Sequence, residues 1–451
     1  MVDSIIIDKY NNILPEEVHS ILGKYILADG FDFVLDLHNS KGSYLIDAIT
    51  GKKYLDFFTF FASNPLGMNH SEMDNEEFIN KIGKIALNKP SCSDIYSIEM
   101  AEFVDTFFKI AVPSNFKYSF FIEGGALANE NALKIAFDWK VRKNFLKGYT
   151  QEKGHKVISF EHAFHGRSGY TLSLTNTDPV KTRYFPKFND WIRVSSPFIK
   201  FPINEFSLKD LIERENFTIN QIVNSINEFP DEIACIIIEP IQAEGGDNHF
   251  RSEFLQKLKD ISLENDILLI FDEVQTGLGI TGNMWACQTF GVMPDIVTFG
   301  KKMQVCGLFA TDRIDDIPDN VFHTSSRINS TWGGNLVDMV RATKYLQIIS
   351  KYNLVKNSSI IGKVLLEELS KLQLEFPDIV SNVRGVGLMC AFDFPSIDKR
   401  NRFKSLCYSN GLIILGCGEK SIRFRTALNI TLEDLLFGLK LIKKSIVELQ
   451  S

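Results

Sequence analysis

Short apolar runs that are too small for helices recur along the middle of the chain, at residues 118–122, 156–160, 233–238, 267–271 and 296–299. These runs lack the polar alternation of a half-exposed strand, and this pattern is typical of strands buried on both faces of a parallel sheet. A further segment, residues 171–174, is also expected to be extended.

Stretches with helical spacing separate the apolar runs, for example residues 126–147 and 253–264. Strands that alternate with helices predict parallel βαβ units, so we expect an α/β fold with a doubly wound, mostly parallel sheet. In such sheets, ligands bind at the carboxyl ends of the strands. The residues that follow each strand are therefore the first candidates for a functional site.

The pattern changes after residue 334, where two long helices at 336–350 and 360–375 precede two short strands and a terminal helix. We therefore expect a large domain at residues 66–335 and a smaller α+β domain at residues 336–451. The N-terminal segment, residues 1–65, is expected to form part of the small domain.

Composition narrows the class of protein. A formal net charge of -7 argues against nucleic acid as the main partner. Apolar runs stay well below the roughly 18 residues of a membrane span, and the N-terminal MVDSIIIDKYNNILPEE lacks the pattern of a signal peptide. The seven cysteines form no CxxC pair, which favours the reducing cytoplasm.

Charged residues stand directly after two of the predicted strands. Asp272 and Glu273 follow one strand, and Lys301 and Lys302 follow the next after a glycine. An acid can keep a pyridine nitrogen protonated, and an amine can form a Schiff base with an aldehyde. The pair therefore suggests a pyridine aldehyde cofactor.

A small-residue turn, Gly124-Gly125-Ala126, lies between a predicted strand and a predicted helix. Free backbone N–H groups at such a helix start can bind a phosphate. The turn matches neither GxGxxG nor a Walker loop, so nucleotide binding at this turn is only weakly indicated. A simple strand-to-helix turn is an equal alternative.

The loop at 161–167 contains His162 and His165, whose spacing is compatible with two ligands of one metal ion. A third ligand at suitable spacing is missing, so we expect no metal. Phe164 could stack on a flat ring, and Arg167 could bind a carboxylate through both of its terminal nitrogens. The alternatives are a core phenylalanine and an ordinary surface arginine.

Glu239 ends another strand, and Glu244 follows in a loop with two glycines. Arg423 and Arg425 lie two apart on a probable strand and hence on one face. One of them could bind a substrate carboxylate, and a structural ion pair is the alternative. Glu244 could equally be a solvated loop charge.

The turn at 329–335, NSTWGGN, precedes a predicted helix. Its hydroxyl groups could contact a phosphate, or the turn could simply cap the helix.

Taken together, these motifs resemble the class III, fold type I pyridoxal-phosphate aminotransferases, from about residue 20 to the end of the chain. The matching stretches are FIEGGALANENALK, FEHAFHGRSGYTLSLTN, IIIEPIQAEGGD, LLIFDEVQTGLGITGNMWA, PDIVTFGKK and NSTWGGN. The resemblance implies a large domain around a mostly parallel, seven-stranded type of sheet, with a smaller α+β domain. Within the family, these stretches are most similar to those of members that act on the ε-amino group of L-lysine.

The resemblance implies pyridoxal 5'-phosphate as the cofactor and Lys301, rather than its neighbour Lys302, as the residue that carries it. Asp272 would pair with the pyridine nitrogen, Gln275 with the ring 3-oxygen, and Phe164 would stack on the ring.

Gly125 and Ala126 would offer backbone N–H groups to the phosphate, and Glu239 would join the cofactor-binding residues. Thr331 would reach the phosphate from the partner subunit, which implies a homodimer with shared active sites. Lys301, once freed, would move the proton between substrate and cofactor. Desolvation and nearby positive charge would keep its pKa low.

The substrates implied are L-lysine and 2-oxoglutarate, reacting in turn by a ping-pong mechanism. Arg167 would bind the lysine carboxylate, and Arg423 would bind the second carboxylate of 2-oxoglutarate. Glu244 would pair with Arg423 while lysine is bound and swing away in the other half-reaction. Gln275 and Asn329 complete the expected substrate-binding residues.

Three alternatives remain open from the sequence. The chain could be another class III aminotransferase acting on ornithine, acetylornithine or 4-aminobutyrate, or an aminomutase. It could be an α/β enzyme that binds a nucleotide at Gly124-Gly125, or a homologue that only binds ligands. Ala243 stands where related loops often have glycine, which could alter the mobility of Glu244.

Overall fold

The computed structural model describes residues 13–450. The first twelve residues, which carry most of the stretch judged not to be a signal peptide, and Ser451 lie outside the described residues. Within residues 13–450 we found no helix with the length and apolar character needed to cross a membrane.

The strands of the described chain are β1 Tyr44–Ile46, β2 Lys53–Asp56, β3 Phe116–Ile122, β4 Lys156–Phe160, β5 Ile192–Val194, β6 Ile233–Ile238, β7 Ile241–Gln242, β8 Asn248–His249, β9 Leu268–Asp272, β10 Ile296–Phe299, β11 Cys306–Thr311, β12 Ser381–Val386, β13 Met389–Asp393, β14 Leu412–Ile413, β15 Leu415–Cys417 and β16 Ser421–Arg423.

The α-helices are α1 Val18–Leu22, α2 Glu76–Ala86, α3 Ile98–Ile110, α4 Gly125–Leu146, α5 Gly169–Leu174, α6 Glu205–Glu228, α7 Ser252–Glu264, α8 Ala286–Phe290, α9 Leu336–Lys351, α10 Leu354–Glu375, α11 Ile397–Ser409 and α12 Leu432–Gln450. Short 3-10 turns lie at Pro15–Glu17, Pro179–Lys181, Lys301–Met303 and Asp312–Asp316.

The central sheet has seven strands in the order β3-β11-β10-β9-β6-β4-β5. β10, β9, β6, β4 and β5 run parallel, and only β11 runs antiparallel to its neighbours. Every residue of β6, β9 and β10 is buried, which accounts for their unbroken apolar sequences. The predicted α/β fold with a mostly parallel sheet is confirmed.

Two smaller sheets are formed by strands from the N-terminal segment and from the region after residue 336. β1 pairs with β2 and β2 pairs with β14, so the N-terminal segment joins the region after residue 336. β12, β13, β16 and β15 form an antiparallel sheet. These pairings support the expected small domain, although the division at residues 65 and 335 remains a prediction.

Two local expectations were wrong. Residues 171–174 belong to helix α5, because Ser168 caps the helix start together with Thr171, and four buried residues then face the core. Helix α11 and the strands β14 and β15 were also not anticipated, whereas the probable strand at Arg423 is β16, which ends at that residue before Arg425. Of α11 only Phe403 and Cys407 are fully buried, so its sequence has little of the apolar periodicity that predicts a helix.

A left-handed turn follows β2. Thr59, Phe60, Phe61 and Ala62 have φ values of 42, 52, 59 and 64°, although L-residues avoid this region at a cost of about 1–2 kcal/mol each. The Asp56 carboxylate holds the turn by accepting hydrogen bonds from the N–H groups of Phe58 (2.8 Å) and Thr59 (2.7 Å). The turn projects Phe61 towards the carboxyl edge of the sheet.

A buried ion pair joins the β7–β8 hairpin to the segment after β16. Arg425 donates from both terminal nitrogens to Asp247, with Nη1 to Oδ2 at 2.9 Å, and both side chains are fully buried. Removing one partner of a buried pair leaves an uncompensated charge, which is much more costly than losing an exposed pair.

Asp247→Asn is expected to lower the free energy of unfolding by about 3–5 kcal/mol, measured by urea denaturation. Asp105→Asn is the matched control, because its ion pair with Lys109 is 2.7 Å long and exposed. The control should change stability by less than about 1 kcal/mol. Equal effects of the two substitutions would contradict a supporting role for the buried pair.

Candidate active site

The carboxyl ends of β6, β9 and β10 open into a cavity of about 620 Å³, a size typical of small-molecule sites. Its lining includes most of the residues predicted from the sequence: Gly125, Ala126, Phe164, Arg167, Glu239, Glu244, Asp272, Gln275, Lys301 and Arg423. These residues are far apart in the sequence, and the parallel strands bring them together at one edge.

Two predicted residues lie elsewhere. Asn329 and Thr331 are exposed and do not line the cavity of their own chain. Their loop lies beside Lys89, whose Nζ is 4.3 Å from the ring centre of Trp332.

Asp272 ends β9 and is held by three donors. Its Oδ2 accepts from Asn129 Nδ2 at 2.7 Å and lies 2.8 Å from His165 Nδ1, and its Oδ1 accepts from Val274 N at 3.1 Å. Thr298 donates to Asn129 Oδ1 at 2.6 Å, which fixes the orientation of that amide. The carboxylate is therefore positioned rigidly within the buried floor of the cavity.

The two histidines of the 161–167 loop have separate environments. His165 is buried against Asp272, while His162 is exposed and contacts the Phe198 ring. Among residues 13–450 no cluster of three potential metal ligands was found.

Lys301 and Lys302 differ sharply in position. Lys301 lines the cavity, and burial together with Arg423 and Arg425 lowers its pKa to about 8. Lys302 is buried away from the cavity and donates from Nζ to the Gln275 carbonyl at 2.7 Å. Lys301 also has a φ of 50°, a left-handed conformation that is uncommon outside glycine.

Glu239 connects two loops beneath the cavity. Its Oε1 accepts from Phe164 N at 2.8 Å and its Oε2 from Ala243 N at 3.1 Å. Burial and the nearby Asp272 carboxylate raise the pKa of Glu239 well above its ordinary value. The side chain therefore fixes the loop of Phe164 and the loop that leads to Glu244.

Glu244 lies between two cations. Its Oε2 accepts from Arg423 Nη2 at 2.7 Å, and its Oε1 accepts from Lys181 Nζ at 2.6 Å. Burial opposes ionisation, but Arg423 and Lys181 outweigh it and lower the pKa of Glu244. The expected pairing of Glu244 with Arg423 is present, and Lys181 is an additional partner that the sequence did not suggest.

Gln275 joins both arginines of the 423–425 segment to the cavity. Its side-chain oxygen accepts from Arg425 Nε at 2.8 Å and, more weakly, from Arg423 Nη1 at 3.4 Å. Arg423 Nε is buried and has no partner among the described residues. Arg167 is exposed at the cavity and forms no ion pair within residues 13–450.

Several lining residues were missed in the sequence, namely Phe61, Asn129, His165 and Lys181. His165 was considered only as a metal ligand, and Asn129 lies one helical turn after Gly125, which is the signal that could have identified it. Phe61 depends on the left-handed turn, which no local pattern indicates. Its ring centre is 6.0 Å from Lys301 Nζ.

A model of the family described as aminotransferase class-III matches residues 27–446. The chain is a class III aminotransferase. Two of its relatives are described as L-lysine-epsilon aminotransferases. The protein from Mycobacterium tuberculosis is 48% identical over 422 residues, covering 93% of each chain, and that from Streptomyces clavuligerus is 46% identical over 437 residues, covering 96% and 95%.

A solved structure described as the lysine aminotransferase from M. tuberculosis in the internal aldimine form is 46% identical to this aminotransferase. It superposes with a TM-score of 0.94 and covers 97% of this chain and 100% of its own. The likeness therefore extends over the full fold and is not limited to the motifs.

Class III aminotransferases use pyridoxal 5'-phosphate, and the cavity of this aminotransferase fits that group. Helix α4 begins at Gly125 with unpaired backbone N–H groups that can bind a phosphate. A Cβ at Gly125 would lie 2.9 Å from Val274 Cγ1, so the wall is already closely packed there. The buried carboxylate of Asp272 and the amine of Lys301 complete the set of groups that a pyridine aldehyde requires.

The depressed pKa of Lys301 predicts its reactivity in the cofactor-free protein. The neutral, nucleophilic amine predominates above pH of about 8, so the rate of acylation of Lys301 should rise with pH and level off above that value. Exposed lysines should continue to gain reactivity to beyond pH of about 10. Peptide mass spectrometry after pulse labelling measures the acylation rates of Lys301 and of the exposed lysines. A Lys301 pH profile that matches that of exposed lysines would contradict the prediction.

Proposed function

We propose that this aminotransferase transfers the ε-amino group of L-lysine to 2-oxoglutarate. The products are L-2-aminoadipate 6-semialdehyde, which cyclises to piperideine-6-carboxylate, and L-glutamate. The observation that carries the proposal is the Glu244–Arg423 ion pair at 2.7 Å beside the free guanidinium of Arg167. The relatives described as L-lysine-epsilon aminotransferases support the same substrate.

The two arginines give the cavity one available cation and one neutralised cation. Lysine that reacts through its ε-amine has a single carboxylate, at the end far from the reacting carbon, and Arg167 binds it. Arg423 then has no substrate partner, and an unpaired buried cation costs several kcal/mol. Glu244 removes this cost by pairing with it.

2-Oxoglutarate brings two carboxylates to the same cavity. Its distal carboxylate binds Arg167, as lysine does, and the carboxylate next to the keto group binds Arg423. This binding requires Glu244 to release Arg423. One cavity thereby accepts in turn a substrate with one carboxylate and a substrate with two.

The cofactor supplies electron withdrawal from the carbon that bears the transferred amine. Lys301 would carry the cofactor, and Asp272, held by Asn129 and His165, would keep its ring nitrogen protonated. Gln275 has its side-chain oxygen engaged by arginine, so its amide nitrogen is the group able to donate to the ring oxygen.

The remaining cofactor contacts come from small and apolar groups. Phe164, whose loop is fixed through Glu239, would stack on the ring, and the N–H groups of Gly125 and Ala126 would bind the phosphate. Lys301 would move the proton at the reacting carbon, because burial and the nearby arginines lower its pKa to about 8 and make the neutral amine more available than in an exposed lysine.

We further propose a homodimer in which each subunit completes the other's site. Thr331 would reach the partner's cofactor phosphate, and Asn329 would help to hold the substrate carboxylate. The exposure of both residues outside their own cavity supports this arrangement. Large exposed apolar side chains, namely Trp332 in the same loop and Leu87, Ile95 and Tyr96 in the segment around Lys89 that contacts Trp332, also favour an interface there.

A cytoplasmic location is proposed as well. All seven cysteines are free, which is usual in a reducing compartment.

A substrate panel tests the proposed activity. With 2-oxoglutarate as acceptor, L-lysine should give glutamate and a cyclic product that can be trapped with an aromatic aminoaldehyde. Ornithine, acetylornithine and 4-aminobutyrate should give at least about tenfold lower kcat/KM, which corresponds to about 1.4 kcal/mol. Glutamate formation from ornithine but not from lysine would overturn the proposal.

Lys301→Ala should abolish the visible absorption of the bound cofactor and the activity, because the amine that holds the cofactor is gone. Lys302→Ala should retain the absorption, since Lys302 donates only to the backbone of Gln275. Absorption spectra of the two purified variants, with circular dichroism to verify folding, provide the measurement. Exchange of the two outcomes would assign the cofactor to Lys302.

A further inference from the structure

A second, smaller cavity of about 210 Å³ adjoins the active-site cavity. Lys181 and Glu244 line both cavities, so these two side chains form the wall between them. The far side of the small cavity is lined by Arg400 and Lys404 from helix α11. No residue of this second cavity other than Glu244 has a role in the proposed reaction.

The small cavity is rich in positive charge. Arg400 and Lys404 are one helical turn apart and therefore face the same way. Arg400 donates to the side chain of its neighbour Asn401, and neither residue forms an ion pair within residues 13–450. Burial lowers the pKa of both groups. Asp178 is the second carboxylate in the lining, and it accepts a hydrogen bond from Val180 N.

The backbone that carries Glu244 is fixed. Gly418 N donates to the Glu244 carbonyl at 2.8 Å, and Ala243 N donates to Glu239 at 3.1 Å. Gly245 packs so closely that a Cβ on it would lie 2.1 Å from the His162 carbonyl oxygen. Release of Arg423 by Glu244 therefore requires rotation of its side chain, without movement of the loop.

A carboxylate that rotates away from Arg423 keeps Lys181 as a partner but loses one charged contact, which a further cation would replace. Lys181 holds the second carboxylate oxygen at 2.6 Å. Because Lys181 and Glu244 also line the small cavity, a rotation that keeps this contact can place the carboxylate there, beside Arg400 and Lys404, which form no ion pair within residues 13–450.

We propose that the small cavity receives the Glu244 carboxylate whenever a two-carboxylate substrate occupies Arg423, and that Arg400 and Lys404 are its partners there. The inference deepens the proposed function, on which it rests, by naming the residues that stabilise the second position of Glu244. Arg400 and Lys404 are positioning residues that act through Glu244 and do not touch the substrate.

The test measures the two half-reactions separately, by single-turnover absorption changes of the holoenzyme with lysine and with glutamate. Lys404→Gln and Arg400→Gln should each lower the apparent second-order rate constant for glutamate by about fivefold to tenfold, since each removes one charged contact. The lysine half-reaction should change by less than about twofold, because Glu244 then remains on Arg423.

Lys399→Gln is the matched control, because Lys399 is exposed on the same helix. It should leave both half-reactions unchanged, and Lys404→Arg should restore the glutamate half-reaction. In a Glu244→Ala background, Lys404→Gln should have no further effect on glutamate, since no carboxylate remains to be received.

Equal loss in both half-reactions, or the same loss in the Glu244→Ala background, would overturn the inference in favour of a general structural or electrostatic effect. No loss in either single variant would also overturn it. Failure of the proposed function can be told apart from failure of this inference. If lysine is not the substrate, the unsubstituted protein will show no lysine half-reaction. The rates of the variants with glutamate would still decide the role of the small cavity.

Discussion

The arrangement of the active site follows from one constraint, which is that the buried guanidinium of Arg423 must always have a negative partner. Its side chain is only 3% exposed, so solvent cannot stabilise it. Glu244 supplies that partner, Lys181 supports Glu244 from the other side, and the Gly418 contact fixes the backbone from which Glu244 reaches. In the proposed reaction, substrate choice then depends on which carboxylate lies opposite Arg423.

The groups expected to act on the cofactor follow from a different rule, the convergence of parallel strands. Asp272, Glu239 and Lys301 were predictable from the sequence because each comes directly after a short apolar run, and the carboxyl ends of parallel strands meet at one edge. The same local patterns gave the α/β fold and five of the seven strands of the central sheet. The family resemblance added substrate roles to residues such as Arg167, whose local sequence alone indicated only a possible carboxylate site.

What could not be predicted depends on tertiary contacts. Asn129 and His165 acquire their importance only when α4 and the 161–167 loop pack against β9, and Lys181 only when its turn reaches Glu244. The left-handed turn that presents Phe61 contradicts local preferences and exists because Asp56 and Arg425 hold it. Residues 397–409 were not recognised as a helix because most of their side chains remain outside the core.

The enclosed position of the Glu244–Arg423 pair has a consequence for how the enzyme responds to its surroundings. Dissolved ions screen exposed charges over a distance of about 8 Å at physiological ionic strength, but they act less on partly buried pairs such as this one, in which the Arg423 side chain is 3% exposed and the Glu244 side chain 27%. In the proposed reaction, the counter-charge that adapts the cavity to each substrate is carried by the protein itself. Changes in salt would then alter the approach of both substrates, which are charged, while leaving the discrimination between them largely intact.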